Sequence, residues 1–128
     1  MNPDEYVAHL RDVLASNPHI ATLQLHTEQR GGNFLYLHGK AEFLHGGILD
    51  FKEFLEFRAN EAEKYMYAYN YRVEEQVIFR YDNAPDPRAE HLPTFPAHKH
   101  EGNEVVSSEC PDLADVLQEI LERGVELE

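Results

Sequence analysis

Four tyrosines at alternate positions, Tyr65, Tyr67, Tyr69 and Tyr71, constrain this chain more than any other feature. Side chains alternate between the two faces of an extended strand, so a strand over Lys64 to Arg72 puts all four on one face and Met66, Ala68 and Asn70 on the other. Aromatic residues favour strands, and cross-strand aromatic contacts contribute roughly 0.2 to 1 kcal/mol each. Such a strand needs partners, and the chain supplies them. Ala21, Leu23 and Leu25 alternate with Thr22, Gln24 and His26 between His19 and Gln29, and Leu35 and Leu37 alternate with Phe34, Tyr36 and His38 between Phe34 and Phe43. Arg30-Gly31-Gly32-Asn33 predicts the turn between these two strands, and His45-Gly46-Gly47 the turn after them. Glu74-Glu75 marks another turn before a strand over Gln76 to Tyr81, and Glu104 to Ser107 is a short extended piece.

The segment Ile48 to Phe57 admits two readings. Leu49, Phe51 and Glu53 suit a strand, whereas Phe51, Phe54, Leu55 and Arg58 suit a helical face; we read a strand followed by a helical or irregular turn. Pro3 to Ser16 predicts a helix, with Pro3 in its first turn, Asp4 and Glu5 favoured there by the helix dipole, and Val7, Leu10 and Leu14 on one face. A second helix begins near Pro111, carries Asp112 and Asp115 in its first turns, buries Leu113, Val116, Leu117, Ile120 and Leu121, and ends at Gly124. The expected architecture is one α+β domain over residues 1–128: an antiparallel sheet of five or six strands with an N-terminal and a C-terminal helix packed on it. A chain of 128 residues buries roughly two-thirds of its unfolded surface without covalent staples.

The formal net charge of −13 argues against a protein that coats nucleic acid, which is held mainly by Lys and Arg on phosphates. The imbalance is not uniform. Between Arg80 and His100, Arg80, Arg88 and Lys99 balance Asp82, Asp86 and Glu90. The single Cys110 permits no internal disulfide and no multi-cysteine metal site; with no motif around it, it reads as a half-buried small residue. Met1-Asn2-Pro3-Asp4-Glu5 lacks a basic leader, and no apolar run approaches the roughly 20 residues that span a bilayer, so we expect a cytoplasmic protein with no membrane partner.

Between the regular elements lies one Pro-rich stretch, Arg80 to His100, dense in Arg, Lys, His and Asp. Arg80-Tyr81-Asp82-Asn83-Ala84-Pro85, then Phe95-Pro96-Ala97-His98-Lys99-His100, then Ser107 and Pro111-Asp112-Leu113, together resemble the TumE-like toxins of bacterial toxin-antitoxin pairs over about Gly39 to Leu121. The resemblance implies a growth-inhibiting toxin neutralised by a cognate antitoxin protein. The chain departs from that pattern where relatives carry histidines, holding Asp86-Pro87 after Asn-Ala-Pro, Ala97 after Phe-Pro and Ala68 among the tyrosines. If those histidines carry the family's chemistry, this chain is a catalytically silent member.

From residue types alone, the stretch suits a metal-independent ribonuclease. Attack by a 2′-hydroxyl needs a base, an acid for the leaving oxygen and cations for the charged phosphorane. His98 and His100 are the candidate acid and base, Lys99 and Arg80 the phosphate holders, Asp82 and His91 their companions, and Tyr65, Tyr67 and Asn83 the base-binding residues. No cofactor or metal is assigned, although Asp82, His91, His98 and His100 are ligand types a transition metal accepts at a spacing that matches no motif. Two alternatives stay open. The stretch is a structural connection stiffened by Pro85, Pro87, Pro93 and Pro96, or the chain is a non-enzymatic binding module whose acidic surface takes a basic partner. The tyrosine row is equally a core face or a homodimer interface. His9, His19, His26, His38 and His45 have no convergent partners in sequence, and Glu53 and Glu56 read as a solvated edge.

Overall fold

Period-two alternation dominates the observed structure, a computed structural model that describes residues 1–59 and 61–127, without the side chains of residues 125–127. After α1 (Pro3–Ala15) the chain lays down β1 (Ile20–Arg30), β2 (Phe34–Phe43), β3 (Gly47–Arg58), β4 (Glu61–Val73) and β5 (Gln76–Asp82). It then makes a single 3-10 turn at Pro87–Ala89, two short strands, β6 (His98–Glu101) and β7 (Glu104–Ser107), and α2 (Leu113–Leu127). All seven strands form one antiparallel sheet in the order of the chain. The α+β class and the two terminal helices agree with expectation, but the sheet has seven strands rather than five or six. The additional strand is β6, whose sequence His-Lys-His-Glu has no apolar alternation and is extended because β5 pairs with it.

Three other expectations are corrected. The segment after Gly47 stays in strand to Arg58, since neighbours on both sides hold it and its inward positions Leu49, Phe51, Glu53 and Leu55 are all buried. Helix α2 continues past Gly124 to Leu127, and Leu121 is 37% exposed rather than buried. Among the described residues, no helix is long and apolar enough to cross a membrane.

Each helix starts and packs for local reasons. The Asn2 side chain accepts the Glu5 N–H at 2.8 Å and Pro3 follows it, a cap and first-turn pairing that satisfies an otherwise free donor. Leu10 and Leu14 of α1 and Leu113, Val116, Leu117 and Ile120 of α2 share one core cluster with Leu35, Leu37, Leu49, Phe51, Leu55 and Phe79. Tyr67, Tyr69 and Tyr71 belong to that cluster too, each at most 3% exposed. The tyrosine row is therefore mostly core. Tyr65 escapes it, because a bulge between Phe54 and Leu55 in the pairing of β3 with β4 breaks the alternation there.

Both helices cover the same face of the sheet, so the other face is free of helices. Gly39 shows how tightly the covered face is packed: a Cβ there would lie 2.3 Å from Phe51 Cζ and 2.8 Å from the Gln24 carbonyl oxygen. Gly39→Ala is expected to destabilise by ~1–3 kcal/mol through overpacking. A urea midpoint unchanged from wild type would show that the Phe51 ring gives way freely.

Candidate active site

The pairing of β5 with β6 sets Asp82 opposite His98 and Arg80 opposite His100. Alternation points these four side chains to the helix-free face and sends Tyr81, Lys99 and Glu101 to the other. The connection 83–97 folds back over this end of the open face: Ala89 is fully buried and its 3-10 turn packs against β7. Beneath it His98 is 1% and Asp82 5% exposed. Hydrogen bonds pin the connection, since Thr94 Oγ1 donates to the Ala97 carbonyl at 2.8 Å and accepts the Ser108 N–H at 3.0 Å.

Donors and acceptors constrain where the protons sit. His98 Nδ1 is 2.7 Å from the Pro96 carbonyl, which only accepts, so Nδ1 carries a proton. His98 Nε2 is 2.9 Å from His100 Nε2 and 3.2 Å from Asp82 Oδ1. Two facing ring nitrogens in contact share one proton. When His100 Nε2 is the donor in that contact, a lone pair is left on His100 Nδ1. Burial, then the neighbouring His98, lowers the His100 pKa despite opposing pulls from Asp82 and Asp86. The inner shell is ordered around them: Arg80 Nε donates to Asp82 Oδ2 at 2.7 Å, and Asp82 Oδ1 accepts the Ala84 N–H at 3.0 Å. Asp86, whose Oδ2 is 3.8 Å from His100 Nε2, is held by the Arg88 side chain and backbone at a pKa of about 2 and stays ionised.

The candidate residues do not all meet. Arg80, Asp82, His98 and His100 converge. Lys99 lies on the helix-covered face, 2.9 Å from Glu119 of α2 with its ammonium over the Tyr81 ring, so its position serves helix docking. His91 is exposed on the covering connection and takes no part in the contacts of the cluster. Tyr67 is in the core, Tyr65 is 44% exposed and donates to Glu56 at 2.6 Å, and Asn83 clamps β4 through the Tyr67 N–H and the Tyr65 carbonyl.

Asp82, His98 and His100 are also the residues that could hold a metal, since their ligand atoms lie within 4.8 Å of one another. Two nitrogens bound tetrahedrally at ~2.0–2.1 Å would stand about 3.3 Å apart. The 2.9 Å His98–His100 contact is the closer spacing of a hydrogen bond.

Several informative residues escaped the sequence reading. Asp86 joins the cluster, though it stood out only as a departure from the family pattern. His26 and His38, expected to lack partners, are paired across β1 and β2 with ring centroids 5.2 Å apart. Glu53, expected at a solvated edge, is 1% exposed on the helix-covered face and Glu56 is 7% exposed. The signal for Glu53 was its register, which follows the inward Leu49 and Phe51. Cys110, expected to be half-buried, is exposed.

The family model described as Toxin TumE matches residues 10–127, nearly the whole chain. No curated relative and no solved structure matches.

Proposed function

Since the chain belongs to the TumE family of toxins, we propose that it is the toxin of a toxin-antitoxin pair, that an antitoxin protein is its partner, and that it acts by cutting RNA without a metal. The observation that carries this reading is the chain of contacts from the Pro96 carbonyl through His98 to His100, which leaves His100 Nδ1 as the proton acceptor when His100 Nε2 is the donor to His98. His100 takes the proton of a 2′-hydroxyl, and the resulting imidazolium is shared with His98 and balanced by Asp82 and Asp86. Arg80, positioned beside His100 by strand pairing, stabilises the negative phosphorane. The 2′-oxygen bonds to phosphorus, the 5′-oxygen leaves and is protonated from water, and the products are a 2′,3′-cyclic phosphate and a 5′-hydroxyl. His98 is too buried to touch the substrate, so its part is to orient His100 and spread its charge.

The convergence of His98 and His100 beside Asp82 and Arg80 supports chemistry over a loop that merely binds protein, in which each would bond separately to the backbone. Purified protein is expected to cut single-stranded RNA and spare its 2′-O-methyl counterpart. EDTA at millimolar concentration should change the rate less than twofold. A loss beyond a hundredfold, restored by a transition metal, would transfer Asp82, His98 and His100 to a metal site; absence of any cleavage would favour the binding module.

A further inference from the structure

The helix-free face beyond the histidine cluster has its own organisation. Strand register lines up two rows across it: His26, His38, Lys52, Ala68, Asp82 and His98, and beside them Gln24, Lys40, Asp50, Asn70, Arg80 and His100. At one edge of these rows lie Tyr36, Phe54 and Met66, opposite one another on β2, β3 and β4, with Phe34 stacked on Phe54 at 5.7 Å and Tyr36 5.8 Å from the His38 ring. The bulge in β4 turns Tyr65 toward Glu56, adding a further aromatic ring at that edge.

Charge distinguishes this face from the rest of the molecule. Within the two rows Lys40, Lys52 and Arg80 face only Asp50 and Asp82, while the chain carries −13. Every Lys and Arg except Arg11 and Lys52 has a carboxylate within ion-pair distance among the described residues. Arg11 is solvated on α1. Lys52 is half-buried in the middle of the open face, where an unpaired ammonium is costly and an incoming anion would relieve that cost. The side chains of Gln24 and Asn70 likewise have no hydrogen-bond partner among the described residues. Beside them a depression of about 460 Å³, lined chiefly by Gln24, His26, His38, Lys40 and Asp50, is of the size that small ligands occupy.

We propose that this face is the track on which single-stranded RNA lies, with phosphate on Lys52, a nucleoside in the depression beside His26 and His38, aromatic support from Tyr36 and Phe54, and the scissile bond at His100. The inference rests on the ribonuclease reading and extends it to substrate recognition. Four strand spacings of ~4.8 Å separate β2 from β6, about 19 Å, which spans roughly five stacked nucleotides at ~3.4 Å each. Stacking accepts any base, so recognition is of single strands rather than of one sequence.

The test uses the full chain and a fluorescent 2′-O-methyl octanucleotide, which lacks the attacking hydroxyl, so binding is read apart from cleavage. Lys52→Ala and Tyr36→Ala are expected to weaken binding at least tenfold with unchanged circular dichroism, and Arg11→Ala, the other unpaired cation, to bind as wild type. His100→Gln should bind normally while failing to cut RNA. No binding by wild type, or equal binding by Lys52→Ala and Arg11→Ala, overturns the track even if RNA is cleaved. Loss of antitoxin binding by Lys52→Ala with RNA binding intact overturns it as well, assigning the face to the partner protein. Binding as proposed with no cleavage of any RNA would remove the ribonuclease reading and leave the track.

Discussion

RNA cleavage by the His100→Gln protein is expected to fall by ~10²- to 10⁴-fold in kcat, the contribution of a positioned proton acceptor, and growth arrest to disappear with it. Glutamine keeps the hydrogen bond to His98 within reach but has no lone pair that takes a proton. The pH profile adds a readout that simple misfolding would not give. Burial holds the His100 pKa below the ordinary histidine value of ~6.5, so its lone pair persists into more acidic solution. The rising limb of kcat/KM should therefore fall below pH 6.5. The stability linkage has the matching sign: below about pH 6.5 the unfolded chain takes up a proton that folded His100 resists, so His100 costs stability as pH falls and is neutral above. His100→Gln should flatten that dependence. The groups facing His100 are His98 from the same strand, Asp82 and Arg80 from β5, and Asp86 and Arg88 from the covering connection. His98→Ala removes the partner that fixes the tautomer, so kcat should drop with KM unchanged and the limb should move up toward 6.5. Growth arrest retained by both His98→Ala and His100→Ala would end the catalytic reading.

How much of this was legible in the sequence depends on whether the signal was local. The alternation of the tyrosines, of Leu23 and Leu25, and of Leu35 and Leu37 each sits within one strand, so the sheet and its hairpins could be read directly. The C-terminal helix was visible from its apolar spacing. Strand β6 was not, because nothing within His-Lys-His-Glu distinguishes a strand from a loop; pairing with β5 makes it one, and only that pairing sets Lys99 on the opposite face from His98 and His100. The active-site candidates were found by residue type, whereas the sharing of one proton between two rings depends on a contact of 2.9 Å. Tyr65 and Tyr67 were grouped by spacing, and one bulged residue separated them. Lys52 carried no signal of its own in the sequence, since the absence of a counter-charge is a property of the folded surface.

Glu53 carries the second large expectation: Glu53→Ala should cost about 3–5 kcal/mol, as removal of one partner from a buried ion pair does. Its carboxylate accepts hydrogen bonds from the Tyr6 hydroxyl of α1 and the Tyr69 hydroxyl of β4, and lies 3.2 Å from Lys64 Nζ. Burial, followed by the Glu53 charge, raises the pKa of both phenols, which therefore remain donors throughout the physiological range. Lys64 in turn donates to the Pro111 carbonyl at 3.4 Å, just before α2. One carboxylate thus ties the first helix, the central strands and the approach to the last helix. Alanine leaves two phenols and an ammonium without their acceptor in a site from which water is excluded. Against a typical total stability of 5–15 kcal/mol, that loss is large enough to populate the unfolded chain and weaken toxicity with no catalytic residue touched. Glu53→Gln keeps the shape and one acceptor and should cost less, whereas replacing Glu53, Tyr6, Tyr69 and Lys64 together by apolar residues should cost less than the summed single changes, because no orphaned group remains. Urea unfolding of the wild type, Glu53→Ala, Glu53→Gln, the single apolar changes at Tyr6, Tyr69 and Lys64, and the quadruple replacement decides it. A Glu53→Ala cost under 1 kcal/mol would mean that apolar packing of Leu10 and Leu14, rather than this network, holds α1 to the sheet.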